Sequence, residues 1–342
     1  MQNKGKERIF AFDFIRAILA IGIVCFHYSC HLLQDTKIRP FYTYANGDWG
    51  TTIVTAFFII SGAMLYYNND DIVSLKKFYY KRWKTIFPMF YIAFTWFFLQ
   101  NVFTYGKLFY KGNPKSIILS LLGMDGYFLY KYDNYYILGE WFLGAIIILY
   151  AMYPIILKMF NKSNKFVTVA CLFLWIWQMQ ATCFSVDSFR NIISCLVSFV
   201  IGMFISKYAL YKNNICIAIS FAMFVIVLFV KLPIHNYYSV HICGLGLFFV
   251  MYYIGNKLIR LKTLSKVVME LSNLSFPIFL LQHLIVVQII AAFKPTSVVC
   301  VMVFMFIACL LTIIEAKMLS VITKEVLNSN IYLFCENKLK LK

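Results

Sequence analysis

Ten apolar stretches, each roughly 17–25 residues long, follow one another along the 342-residue chain. They lie near 10–32, 51–67, 86–104, 138–158, 166–183, 189–207, 214–231, 239–259, 273–293 and 297–321. Such lengths match a hydrocarbon core ~30 Å thick. In lipid a helix satisfies its own backbone, whereas an open sheet edge cannot. The spacing therefore predicts an all-α polytopic membrane protein of about ten transmembrane helices, forming one integral-membrane domain over 1–342. Composition agrees: 62% of residues are hydrophobic and 13% charged, against about 45–50% and ~25% in soluble domains.

The net charge of +18 raises the question of a nucleic-acid partner. With the N-terminus inside, the inner segments hold 22 Lys and Arg residues and the outer loops 9, with Arg16 inside helix 1. That asymmetry is the positive-inside pattern. It predicts both termini in the cytoplasm and accounts for the basic excess without nucleic acid. Lys338, Lys340 and Lys342 read as a cytoplasmic tail near anionic lipid. Lys4, Lys6 and Arg8 precede an apolar stretch too long for a signal peptide, and no small-residue cleavage site follows.

The ten cysteines show no CxxC pair or regular spacing, so neither a disulfide framework nor a zinc site is expected. No internal repeat or linker is visible. Two connections stand out: 105–137, the longest outer one, expected to dip into the membrane or lie along its surface, and 68–85 on the cytoplasmic side.

Helix 1 carries Asp13, Arg16, His27 and His31 in an otherwise lipid-compatible stretch. A charged group at mid-membrane costs about 2.5–3.5 kcal/mol by insertion scales, so it faces a cavity or a partner. Eleven residues at 100° each come within about 20° of three full turns, which places Arg16 and His27 on one face about 16 Å apart. Asp13 and His31 neighbour that face at i+3 and i+4 spacing. One reading is structural, an Asp13–Arg16 pair near the interface and a histidine at the helix end. A His27–His31 metal pair lacks acidic or cysteine partners at suitable spacing, and no metal is expected. The functional reading is an acyl- or phosphoryl-transfer site, with imidazole as a base near neutral pH and arginine for phosphate or a developing oxyanion.

The pattern resembles the integral-membrane acyltransferase type three family. Arg16 and His27 match its Arg-x10-His signature on helix 1; "FFIISG", Phe57 to Gly62, resembles its Phe-Phe-x-x-Ser-Gly element. "KRWKTIFP", Lys81 to Pro88, resembles a basic-x-x-basic element leading into proline, with Thr85 where a second arginine is expected and Lys84 beside it. "GEWFLGAIIILYAMYPII", Gly139 to Ile156, supplies a Trp-Phe-Leu element, and "SNLSFPIFLLQH", ending at His283, is a weaker echo.

The resemblance implies transfer of an acyl group, acetyl by family habit, from cytosolic acetyl-CoA. The acceptor is a hydroxyl of a cell-surface polysaccharide or lipid-linked sugar, in the cytoplasmic membrane of a bacterium. It implies His27 as general base or acyl carrier and Arg16, supported by Asp13, for the donor. Lys81, Arg82 and Lys84 sit at the cytoplasmic mouth for the donor's phosphates, although any inner loop collects lysines. Glu140, Trp141 and His283 are candidates for the acceptor. Ser61 and Gly62 suit close helix packing more than chemistry, and His235 and His241 flank an outer loop with no specific role expected. The rival reading is a flippase for a lipid-linked glycan, whose paired broken helices are not seen in the sequence.

Overall fold

The computed structural model describes residues 7–32, 38–108, 113–133, 138, 141–181 and 184–338. Among them are helices α1 (Phe10–His31), α2 (Trp49–Asn68), α3 (Leu75–Tyr105), α4 (Ile117–Leu121), α5 (Trp141–Lys162), α6 (Asn164–Trp177), α7 (Ile192–Lys207), α8 (Asn214–Phe229), α9 (Asn236–Leu258), α10 (Lys262–Asn273), α11 (Ser275–Phe293), α12 (Val298–Asn328) and α13 (Asn330–Lys338). A two-residue hairpin pairs β1 (Thr43–Tyr44) with β2 (Gly47–Asp48).

The chain is an all-α multi-pass membrane protein. Every expected apolar stretch contains one helix, but among the described residues only seven helices, α1, α2, α3, α5, α9, α11 and α12, are long and apolar enough to cross a membrane by themselves. Helices α6, α7 and α8 have 14, 16 and 16 residues, and reach only about 21–24 Å at 1.5 Å per residue.

Three expected boundaries are corrected. α3 begins at Leu75 rather than 86, so the basic "KKFYYKRWK" run is helical and Pro88 lies inside the helix. Ser74 caps it, its hydroxyl accepting from the backbone N–H of Lys77. α6 stops at Trp177, short of 183. α12 continues to Asn328, beyond 321. In each case an apolar-run criterion marks the lipid-compatible stretch, whereas backbone hydrogen bonding sets where the helix ends.

The chain divides into two compact units, one of Met1–Asp71 with Ile156–Ser275, the other of Ile72–Ile155 with Phe276–Lys342. In the first, α2 and α7 cross with almost no side chain between them. A β-carbon on Gly62 would fall on the carbonyl oxygen of Phe199, and one on Gly202 on that of Ile59. Small residues allow such approach in a membrane, where van der Waals contact replaces the hydrophobic effect as the cohesive force. The "SG" element thus has a packing role for its glycine; Ser61 beside it is half-buried.

The hairpin ties this unit together at one end. Asn46, fully buried, donates to the carbonyls of Val227 (2.7 Å) and Val230 (2.6 Å) and accepts from the N–H of Leu232 (2.8 Å). These bonds satisfy backbone groups that the end of α8 would otherwise leave open. His235 caps α9 by accepting from the N–H of Tyr237, and the Nδ1 of His241 donates to the carbonyl of Tyr237.

At the other end of the unit, α10 packs along the start of α1: Val268 is buried against Phe10, Phe14 and Ala17. Lys262, Lys266 and Glu270 interrupt the apolar residues of this twelve-residue helix, so no span criterion detects it.

In the second unit, the connection after α3 folds back along it. The hydroxyl of Tyr91 donates to the carbonyl of Leu121 (2.9 Å), and a β-carbon on Gly123 would meet the Ile147 side chain of α5. In the turn after α4, outside the spanning helices, the Asp125 carboxylate is buried and accepts from Ser120 and from the N–H of Gly126. Burial pushes its carboxyl up to about 7. Phe142 of α5 meets Phe279 of α11 edge-on at 5.1 Å.

Candidate active site on helix α1

In the first unit, the polar groups on the early turns of α1 converge on the corner between α10 and α11, "SNLS", Ser272 to Ser275. Arg8, just before the helix, donates through Nε (2.5 Å) and Nη2 (2.8 Å) to the Asp13 carboxylate, and through Nη2 to the side-chain oxygen of Asn273 (3.2 Å). Asp13 also accepts from the Ser272 hydroxyl (2.8 Å). One turn on, Arg16 donates to the Ser275 hydroxyl (2.7 Å).

Asp13 therefore pairs with Arg8, not with Arg16 as the i+3 spacing suggested. Its acceptor atoms serve the residue before the helix and the α10 corner, which buries them. The pairing raises the Arg8 guanidinium above its ordinary value through the hydrogen bond to Asp13, with desolvation acting in the opposite sense.

Eleven residues beyond Arg16, His27 is half-buried, with Phe26 edge-on to its ring at 5.4 Å and the His31 ring stacked at 6.2 Å. Helical periodicity keeps Arg16 and His27 on the same side of a continuous helix. α1 thus offers a cation bound to a serine hydroxyl toward one end and an imidazole, beside the Phe26 and His31 rings, toward the other. Such a pair can bind an anionic or carbonyl oxygen and move a proton.

In the second unit, the three basic candidates on α3 do not form one patch. Residues 82 and 84 are separated by 200° of helical turn. Lys81 is exposed. The Arg82 guanidinium lies over the rings of Phe78 (5.9 Å) and Tyr150 (5.7 Å), and its Nε is buried with no hydrogen-bond partner among the described residues. Lys84 faces α13 and pairs with Glu336 at 2.8 Å. Trp141 opens α5 and His283 lies midway along α11, both half-buried. Glu140 lies outside the described residues.

Two groups within the "SNLSFPIFLLQH" stretch are not assigned to the site by motif. Ser275 is the hydroxyl that holds Arg16. Gln282 is fully buried, and neither of its amide atoms has a hydrogen-bond partner among the described residues. An amide in an apolar helix is itself a signal, because an unsatisfied polar group in such surroundings is costly.

No curated protein and no solved structure matches this chain. A family model described as an acyltransferase domain matches residues 9–314, from the residue before α1 to the middle of α12. Nine-tenths of the chain falls within that match, the Arg16–His27 face included, and the chain belongs to the acyltransferase type three family as a membrane-bound acyltransferase.

Proposed function

We propose that this acyltransferase moves an acetyl group from cytosolic acetyl-CoA to a hydroxyl of a cell-surface polysaccharide, or of its lipid-linked precursor, in a bacterial cytoplasmic membrane. The observation that carries the reading is the single face of α1 with Arg16 held by Ser275 and His27 three turns away. The positive-inside asymmetry gives that face its direction, donor on the Arg16 side and acceptor on the His27 side.

His27 takes the proton of the acceptor hydroxyl as its oxygen attacks the thioester carbonyl carbon. The carbon–sulfur bond then breaks, the thiolate leaves with coenzyme A, and the acetyl ester remains on the sugar. In the two-step form of the same chemistry, the imidazole carries the acetyl group between donor and acceptor. Arg16 binds the donor or its developing oxyanion. Lys81 and Arg82 serve the donor's phosphates, and the lack of a hydrogen-bond partner for the Arg82 Nε among the described residues supports that role. Glu140, Trp141 and His283 serve the acceptor.

The test is acetyl transfer from labelled acetyl-CoA in membranes holding the wild-type chain or the His27→Ala variant at equal abundance. The variant is expected to lose transfer, and the surface glycan of a deletion strain to lose one acetyl mass on a defined sugar. Full activity of purified His27→Ala would overturn the mechanism.

A further inference from the structure

α3 and α12 each have 31 residues, about 46 Å of helix against a ~30 Å hydrocarbon core. In α3 the charges lie before residue 86, and 86–105 is free of Asp, Glu, Lys and Arg; in α12 they lie after 314. The charged end of α3 meets the charged end of α12 in one unit, so both project into the headgroup layer on the same side of the membrane.

There, α3, α12 and α13 line an open cavity of about 550 Å³, whose lining includes Lys84, Ser320, Lys324, Asn328 and Glu336. That volume is in the range of small-ligand sites. The Glu336 carboxylate is buried, accepting from Lys84 (2.8 Å) and from the Tyr80 hydroxyl (2.7 Å), while Tyr80 and Tyr332 share a hydrogen bond (2.8 Å).

Among the described residues the lining thus holds two lysines and one glutamate, and Ser320 and Asn328 add further donors. Taking a carboxylate out of water costs hydration that its partners in the fold must offset. Glu336 sits on α13, a nine-residue terminal helix joined to α12 through Ser329, whose backbone is extended. A second anion entering the cavity can take Lys84 while α13 carries Glu336 back to water. α13 and the α12 wall lie beyond residue 314, so they are no part of the family match.

We propose that this cavity is a phosphate-binding site, with Lys84 and Lys324 as its cations and Glu336 as the internal anion that occupies Lys84 until phosphate arrives. Compact ammonium groups suit phosphate as point charges. The ligand is either a soluble phosphate compound or the headgroup of an anionic lipid. The inference stands on the cavity alone and does not depend on His27.

The test uses the purified full chain in detergent, titrated with inorganic pyrophosphate by calorimetry. In a second arm the chain is placed in phosphatidylcholine nanodiscs with or without phosphatidylglycerol, and retained phosphatidylglycerol is counted by native mass spectrometry. Glu336→Gln, which keeps the shape of the side chain, is expected to bind at least about fivefold more tightly. Lys324→Gln, at an exposed position, is expected to bind at least about fivefold more weakly. Lys317→Gln, a lysine outside the cavity, is expected to match wild type.

Pyrophosphate binding with these effects identifies a soluble ligand, and lipid retention with these effects identifies a headgroup. The proposal fails if neither probe binds, if Glu336→Gln and Lys324→Gln bind like wild type, or if Lys317→Gln weakens binding as much as Lys324→Gln.

Discussion

The pairing of Asp13 with Arg8 predicts an energetic coupling that the spacing of α1 alone would assign to Arg16. The perturbations are Asp13→Asn, Arg8→Met and the two combined. Asp13→Asn keeps a side-chain oxygen to accept from Ser272, so the loss is confined to the two-pronged contact with Arg8 (2.5 and 2.8 Å). Hydrogen bonds to charged groups contribute about 1.5–3 kcal/mol when protected from water. The Arg8 side chain is 53% exposed and that of Asp13 only 4%. Solvent screening therefore moves the value toward the ~0.2–1 kcal/mol of exposed pairs. The expected coupling is about 1 kcal/mol, or roughly a fivefold change in the unfolding constant. Replacing Asp13 with alanine also removes the Ser272 bond and is expected to cost about 2 kcal/mol. Unfolding in mixed micelles with rising dodecyl sulfate, followed by tryptophan fluorescence, measures all four corners of the cycle. Acyl transfer measured in parallel is expected to fall less than tenfold in Asp13→Asn, because Ser275 still holds Arg16. A coupling below ~0.3 kcal/mol, within the error of additivity, would refute the argument and return Asp13 to the role of partner for Arg16.

The α2–α7 crossing predicts that Gly62→Ala destabilises the protein by about 1–3 kcal/mol, since the added methyl must push the helices apart. Gly202→Ala is expected to cost a similar amount, and the double variant less than the sum, because both methyls force the same separation. Micelle unfolding reads these values, and an unchanged midpoint for Gly62→Ala would contradict the contact. Asp125 predicts a pH dependence. Its carboxyl binds a proton more tightly folded (about 7) than at its ordinary value of 3.8. Wild-type stability should therefore fall as pH rises from about 4 toward about 7, and level off above. Asp125→Asn is expected to be flatter across that window, and a wild-type curve rising through it would reverse the sign of the argument.

Much of this protein is legible in hydropathy. Each apolar stretch contains a helix because a backbone in lipid has no other way to pair its own N–H and C=O groups. Helical periodicity also places Arg16 and His27 on one face without reference to any neighbour. What the pattern misses is polar by necessity. α10 and α13 are short and carry charge, so a search for spans passes over them, although α10 seats the start of α1 and α13 brings Glu336 to Lys84. The first third of α3 is lost for the same reason: its lysines read as a loop, while the backbone continues as helix.

By itself, then, the sequence determined the class of the protein, its apolar segments, and the two side chains of α1 on which the chemistry is proposed to rest, because these follow from local periodicity and from the cost of polar groups in hydrocarbon. Only the tertiary structure decided the partners: Asp13 with Arg8, Arg16 with Ser275, Lys84 with Glu336. The last two pairs join residues more than 250 positions apart, and the first overrides a helical i+3 spacing. Which cation reaches a given carboxylate depends on how helices pack, and no periodicity within one helix contains that information.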